Sequence, residues 1–150
     1  MTTAVLNQST AIPEAMVTDA PKFLAGFCVG DVSHQGDIMI VGIAKLPKSA
    51  KPRENRQLAD GNTQGSRHVL ERGSVYDCDV AEVAKAIKSA TKCDVGQQYV
   101  GPVFVSPADP TDSDLTHPEH GNQGFPAGQV CAVVFQRNLD AEQRERRSRD

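Results

Sequence analysis

The chain has 150 residues, of which 39% are hydrophobic and 5% aromatic, and a net charge of −3 at pH 7. That length suits one domain with a core of its own. The mildly acidic balance argues against nucleic acid as a partner, and no run of about 18 apolar residues could span a membrane. The N-terminus lacks the basic and apolar regions of a secretion signal, so we expect assembly in a cytosol.

Residues 1–21 predict an N-terminal arm, because they are small and polar and keep no hydrophobic period. A segment of this composition does not bury a core by itself, so we expect it to be either disordered or laid on a partner surface. Its large apolar residues are the predicted partner-binding anchors: Val5, Leu6, Ile12, Met16 and Val17.

Residues 22–136 predict a β-rich domain. The first strand is expected at 23–29, a turn at 30–36 and a second, buried strand at 37–44. Two prolines then interrupt regular structure between residues 46 and 52. Short strands are expected at 56–59, 67–70, 74–78, 99–105 and 129–136, separated by turn signals and a proline-rich loop.

One helix is predicted near 80–92. Asp79 is a suitable N-cap, and Glu82 three residues later completes a capping-box pattern. Apolar residues then follow helical spacing at Val80, Val83, Ala84, Ile87 and Ala90. Short strands with a single helix predict a mainly β (α+β) fold, a small antiparallel barrel or sandwich of the jelly-roll type.

Residues 137–150 predict a charged C-terminal tail, which has too few apolar residues to bury a helical face. A solvated or docking tail is favoured over one that binds nucleic acid.

The four cysteines, Cys28, Cys78, Cys93 and Cys131, lie far apart and contain no Cys-x-x-Cys pair, which argues against a zinc knuckle. Cys28 and Cys131 sit in apolar runs and are expected to be buried thiols. Cys78 and Cys93 flank the predicted helix, whose length of about 20 Å would keep them from pairing with each other.

Three segments resemble a loose group of small, uncharacterised proteins encoded in bacterial and phage genomes. They are Gln35-Gly-Asp-Ile-Met-Ile-Val with Leu46 to Pro52, Leu58-Ala-Asp-Gly with Gly65-Ser-Arg-His68, and Leu115-Thr-His-Pro-Glu-His120 with Pro126-Ala-Gly and Gln136-Arg137. The resemblance implies no established activity. The chain also departs from it at Ser66, where the group tends to have the first histidine of a Gly-His-x-His segment.

The segment from His117 to Gly121 concentrates two imidazoles and a carboxylate. With His68, the residues His117, Glu119 and His120 could bind zinc or ferrous iron at the mouth of a small barrel. The favoured alternative is a polar turn in which Gly121 supplies a permissive backbone. This loop would aim the last strand, with Pro126 and Gly128 setting the bend. His34 is expected on the surface.

Other chemistry has weaker support. Ser66 and His68 would lie on one face of a strand, but no acid to orient the histidine is identifiable. The loop from Asp109 through Asp112 to Asp114 could hold calcium, yet it lacks the glycine and distal glutamate of an EF-hand. A solvated loop is the favoured interpretation.

These features together predict a non-enzymatic structural or interaction protein without a cofactor, such as a phage capsid decoration (cement) protein. Its expected partners are identical copies and a shell or other scaffold protein, contacted through the arms and an edge strand. It would be assembled in the host cytoplasm and located on the virion. The alternative is a cupin-like metal-binding domain or metal-dependent enzyme of the bacterial cytoplasm, using His68, His117 and His120.

Overall fold

A computed structural model describes residues 20–59 and 68–136. The arm anchors, Ser66 and the C-terminal tail lie outside these ranges. The strands in the described ranges are β1 (Lys22–Phe23), β2 (Val32–Gln35), β3 (Ile38–Ile43), β4 (Lys51–Arg53), β5 (Val69–Leu70), β6 (Ser74–Asp77), β7 (Val100–Val105), β8 (Leu115–Thr116), β9 (Gln123–Gly124) and β10 (Val130–Phe135). Helix α1 is Val80–Thr91, and a 3-10 turn at Gln97–Tyr99 leads into β7. No helix in this part of the chain is long and apolar enough to cross a membrane.

The strands form two sheets. The larger has the order β2-β3-β10-β7-β6-β4 and is antiparallel throughout, with Ala132 of β10 opposite Val41 on one side and Val103 on the other. The smaller has the order β1-β9-β8-β5, and its β1–β9 pair is parallel. The predicted class, mainly β with one helix, is therefore confirmed as a sandwich with one parallel strand pair.

The central strands of the larger sheet are buried on both faces. Side chains that alternate along β3 and β10 point in opposite directions: Ile40 and Val133 pack toward the smaller sheet, and Val41 and Val134 pack toward α1. The molecule thus has three layers, with the larger sheet in the middle. Because neither face of the central strands meets water, the sequences of these strands are continuous runs of apolar residues.

Helix α1 begins where the sequence predicts, but its cap uses a distant residue. Asp79 accepts a hydrogen bond from the Ala81 amide at 3.2 Å. Its own amide donates to the Ser49 hydroxyl at 2.9 Å, and Ser49 donates from both its amide and its hydroxyl to Glu82. In a capping box, the side chain of Glu82 would accept directly from the amide of Asp79. Here the hydroxyl of Ser49 accepts that hydrogen bond and links Asp79 to Glu82.

Several local predictions are wrong. Strand β4 includes Pro52, which was expected to interrupt regular structure, because a proline is tolerated on an edge strand. The strand expected at 56–59 is reduced to a single bridge between Gln57 and Val69.

Strand β2 lies inside the expected turn at 30–36, and the actual turn is Gly36–Asp37, a two-residue hairpin closed by the Gln35–Ile38 pair. The strand expected at 23–29 is reduced to β1, because its later residues form a loop that returns to β2. Cys131 is buried as predicted, whereas Cys28 is exposed, with its amide and thiol donating to Asp31.

Candidate functional site

The hairpin between β2 and β3 places three consecutive residues at one end of the sandwich. Gly36 has a φ of +58°, which suits glycine at the first position of a two-residue turn. This turn directs Gln35 into the interior, where it is 2% exposed, and leaves Asp37 at the rim. The hairpin turn therefore fixes the positions of Gln35 and Asp37, so that both can contact neighbouring residues.

The loop after β8 folds around its own histidine. The Nδ1 atom of His117 accepts hydrogen bonds from the amides of Glu119 at 3.0 Å and His120 at 3.2 Å. The amide of His117 donates in turn to Asn122 Oδ1 at 3.3 Å. An imidazole nitrogen that accepts two N–H groups carries no proton, so the loop holds His117 with its hydrogen on Nε2.

Gln35 determines the tautomer of His68. Its Nε2 donates to the carbonyls of Leu115 at 3.1 Å and Gly121 at 3.0 Å. Its Oε1, which can only accept, therefore faces His68 Nδ1 at 2.8 Å. His68, whose ring is fully buried, must carry a hydrogen on Nδ1.

The other nitrogen of His68 meets a carboxyl group. His68 Nε2 lies 2.9 Å from Oδ1 of Asp37, whose side chain is 31% exposed. Burial removes water from the imidazole and lowers the pKa of His68 to about 4, although the hydrogen bond with Asp37 acts in the opposite direction. Because Nδ1 already carries a hydrogen, Nε2 can donate to the Asp37 carboxylate only when the ring is doubly protonated.

Three imidazoles lie in a row at this end of the molecule. The ring centroids of His68 and His117 are 4.4 Å apart, and those of His117 and His120 are 4.6 Å apart. Burial decreases along the row, since His68 and His117 are buried and His120 is exposed. The structure thus brings together the three histidines that the sequence singled out.

Their nitrogens are not arranged around a common point. Both ring nitrogens of His68 face Gln35 and Asp37, and Nδ1 of His117 faces two amides. Glu119 is an exposed residue whose amide belongs to the turn. Within residues 20–59 and 68–136, no group of three or more His, Cys, Asp or Glu side chains is placed to hold a metal ion. In this arrangement the four candidate ligands do not fit a shared zinc or iron.

The aspartate loop is held by hydrogen bonds within the protein. Asp114 is 1% exposed and accepts from the Thr111 amide at 2.9 Å and the Thr111 hydroxyl at 2.7 Å. Arg72 contacts both Asp114, at 3.4 Å, and Asp109, at 2.6 Å. Two of the three carboxylates proposed for calcium are therefore already paired inside the described structure, while Asp112 is exposed.

An open groove lies along the outer strand β2. It has a volume of about 370 Å³ and is lined by Leu24, Gly26, Phe27, Asp31, Val32 and Ser33. Phe27 packs edge-on against Phe125 with centroids 4.9 Å apart, so the groove is continuous with the core between the sheets. Sequence reasoning missed this groove because it treated residues 30–36 as a turn.

A family model for a domain of unknown function, DUF8820, matches residues 34–134. The chain belongs to the DUF8820 family. The resemblance to an uncharacterised group is thereby confirmed at the family level. The matched DUF8820 stretch contains Gln35, Asp37 and all three histidines of the row, while the residues that line the groove precede it. No curated protein matches the chain. No solved structure matches it either.

Sequence reasoning found the histidines of this DUF8820 domain but missed the partners of His68. Gln35 and Asp37 precede His68 by 33 and 31 residues, so spacing along the chain gives no indication of contact. One signal was present. A glycine between two polar residues, directly before a buried strand, is typical of a hairpin turn, whose flanking side chains then lie at one sheet end.

Proposed function

We propose that this protein is a non-enzymatic interaction protein, and that the groove beside β2 is where it binds its partner. The observation that carries this proposal is the distribution of exposed apolar side chains. Four large apolar residues in the described ranges are exposed, and three of them, Phe23, Val29 and Val32, lie in the ten residues around the groove. Concentrated apolar exposure of this kind is typical of a binding surface.

The two edges of the larger sheet differ in how well they could accept another chain. At the β4 edge, Pro52 has no amide hydrogen and is flanked by Lys51 and Arg53, which disfavours pairing. At the β2 edge, ladder alternation turns the backbone groups of Val32 and His34 away from β3. Gln123 donates to the carbonyl of His34 at 2.6 Å, so Val32 is the accessible position.

The occupant we propose is the N-terminal segment of a second copy. Residues 1–19 contain the five predicted anchors, which suit an apolar groove: Val5, Leu6, Ile12, Met16 and Val17. Nineteen residues can span up to about 65 Å when extended, which is enough to reach a neighbouring molecule. The segment joins the described fold at Ala20, close to β2.

The setting we propose for this exchange is the surface of a phage virion, where the protein acts as a capsid decoration protein. Identical copies and a shell protein would be its partners, and assembly would take place in the host cytoplasm. Support comes from the organisation of the sequence, in which a β domain lies between two polar ends. The exposed groove is the second supporting observation. Mutual exchange of segments is a low-cost route to symmetric oligomers.

Deletion of residues 1–19 tests the proposal. We expect the full chain to sediment as an oligomer and the truncated chain as a folded monomer, with circular dichroism confirming the fold. A synthetic peptide of residues 1–19 should bind the truncated chain. Oligomers that persist after the deletion would show that the segment is not the connector.

Point variants test the groove itself. Val32→Glu places a charge in the groove and should weaken peptide binding at least tenfold. Val80→Glu is the matched control, because Val80 is a similarly exposed valine at the start of α1, away from the groove. Equal loss in both variants would contradict a specific role for the groove.

A metal-dependent function is the second candidate, and the close approach of the three imidazole rings is the observation in its favour. Elemental analysis of the purified chain tests it. Stoichiometric zinc or iron that is lost from a His117→Ala, His120→Ala variant would support this function over the interaction protein. The hydrogen bonds already made by His68 and His117 lead us to favour the interaction protein.

A further inference from the structure

A small polar pocket lies between the hairpin turn and the loop before β9. It has a volume of about 50 Å³, which is room for about four waters or one small anion. Its lining includes Lys22, His34, Gly36, His120, Asn122 and Gln123. It opens at the end of β2 opposite to the groove, with Gln123 between the two.

The amide side chains of this lining have partners within the fold. Gln123 accepts from the Ser33 hydroxyl at 2.9 Å and donates to the His34 carbonyl. Asn122 accepts from the His117 amide, and both donor bonds of Gln35 go to main-chain carbonyls. These amides therefore fix the walls of the pocket.

The remaining polar side chains of the lining are basic. Lys22 carries the one permanent charge among the lining residues, and His120 offers a ring N–H, since even a neutral imidazole has one donor. The carbonyl of His34 accepts from Gln123, and its side chain lies on the opposite face of β2 from Ser33 and Gln35. No carboxylate is among the lining residues, and none in the described ranges forms an ion pair with Lys22, His34 or His120. An ammonium and a ring donor without an internal acid form a receptor for negative charge.

Glycine at position 36 allows His120 to form one wall. A Cβ atom at position 36 would lie 2.5 Å from Cδ2 and 2.7 Å from Nε2 of His120, so the ring rests directly on the backbone of the turn. His120 also contacts His117, whose Nδ1 holds the loop in place. The donor from His120 is thus preorganised rather than carried on a free surface chain.

We propose that this pocket binds one small oxyanion, with Lys22 and His120 as its ligands. The oxygens are those of a free phosphate or of a carboxylate, and both suit a compact pocket of hydrogen-bond donors. The site is independent of the apolar groove, since it lies on the other side of Gln123. A negative result at this pocket would therefore leave the proposed interaction function unchanged.

Titration of the full chain at pH 7, followed by the imidazole signals in nuclear magnetic resonance, tests the site. Inorganic phosphate and sodium acetate are the probes, and sodium chloride at equal ionic strength is the control. We expect saturable shifts of the His120 signals. Saturation by phosphate alone identifies a phosphate source, and saturation by acetate as well identifies a carboxylate source. Shifts that sodium chloride reproduces would overturn the proposal.

Lysine variants test whether the charge of Lys22 binds the oxyanion. Lys22→Met keeps the length of the side chain and should weaken oxyanion binding at least fivefold, while Lys22→Arg should retain it. Lys85→Met, at an exposed lysine on α1, is the matched control and should leave binding unchanged. Equal affinity in the Lys22→Met variant and the wild-type chain would exclude Lys22 as a ligand and overturn the assignment.

Discussion

At the scale of single residues, the pair of His68 and Asp37 is the most constrained chemistry in the molecule. Gln35 fixes a hydrogen on one nitrogen of His68, and Asp37 faces the other at 2.9 Å. Buried polar groups are expensive unless each has a partner, and this pair satisfies both nitrogens of a fully buried ring. Because folding lowers the pKa of His68, the free energy of unfolding depends on pH.

Stability should therefore fall as the pH is lowered from about 6.5 to 4. In this window the unfolded chain binds a proton at His68, whose ordinary pKa is 6.5, while the folded chain, with a pKa of about 4, does not. The urea midpoint measured across this range is the test. His68→Gln should flatten its slope, and His34→Gln, at an exposed histidine, should not. Equal slopes in the wild type and in His68→Gln would contradict the linkage.

Gly36→Ala should destabilise the fold by about 2 kcal/mol, from the left-handed φ and the collision with His120. Gly128→Ala is the matched control, because Gly128 has a φ of +70° but no neighbour within 4 Å of a Cβ atom. We expect it to lose about 1 kcal/mol, the left-handed cost alone. Urea unfolding compares the two, and equal losses would show that His120 yields freely.

At the scale of elements, local patterns predicted the parts whose neighbours are close in sequence. Helix α1 and strands β7 and β10 lie within a residue or two of their expected bounds. Strand β2 was missed because its exposed residues, such as Val32 and His34, follow no apolar alternation that marks a strand. Its position depends on β3, and pairing of this kind is not visible in local composition.

The same limit applies to the candidate site. His117 and His120 share one loop, so their proximity could be predicted, while their contact with His68 depends on the pairing of β5 with β8. The tautomer of His68 could not be predicted, because Gln35 selects it from another hairpin. Residue types were thus recognisable from the sequence, and their geometry was not.

Helix α1 should depend on Ser49, which lies in the loop before β4. Ser49→Ala removes the acceptor of the Asp79 amide and one donor to Glu82, so we expect a loss of about 1 kcal/mol, typical of a lost cap. Thermal unfolding followed by circular dichroism measures it. Ser89→Ala, at an exposed position within α1, is the control and should be close to neutral. A neutral Ser49→Ala would mean that water replaces the hydroxyl.

At the scale of the whole molecule, the three layers leave the two outer strands of the larger sheet as its contact points. Strand β2 is associated with an apolar groove, and strand β4 carries a proline between two basic residues. This asymmetry matters for any assembly, because a sheet that can pair at both edges forms open-ended chains. Closing one edge favours finite oligomers.

Pro52→Val should therefore convert finite association into open-ended growth. The substitution restores an amide hydrogen at the β4 edge and adds a β-branched side chain, and both changes favour pairing with another strand. The apparent molecular mass from light scattering should rise steadily with protein concentration for Pro52→Val and level off for the wild-type chain. Pro52→Lys is the matched control, since it restores the same amide but adds a charge at the edge, and it should behave as the wild type. Scattering that rises equally in both variants would assign the effect to the loss of proline rigidity, and scattering that rises in neither would show that the β4 edge is closed by something other than Pro52.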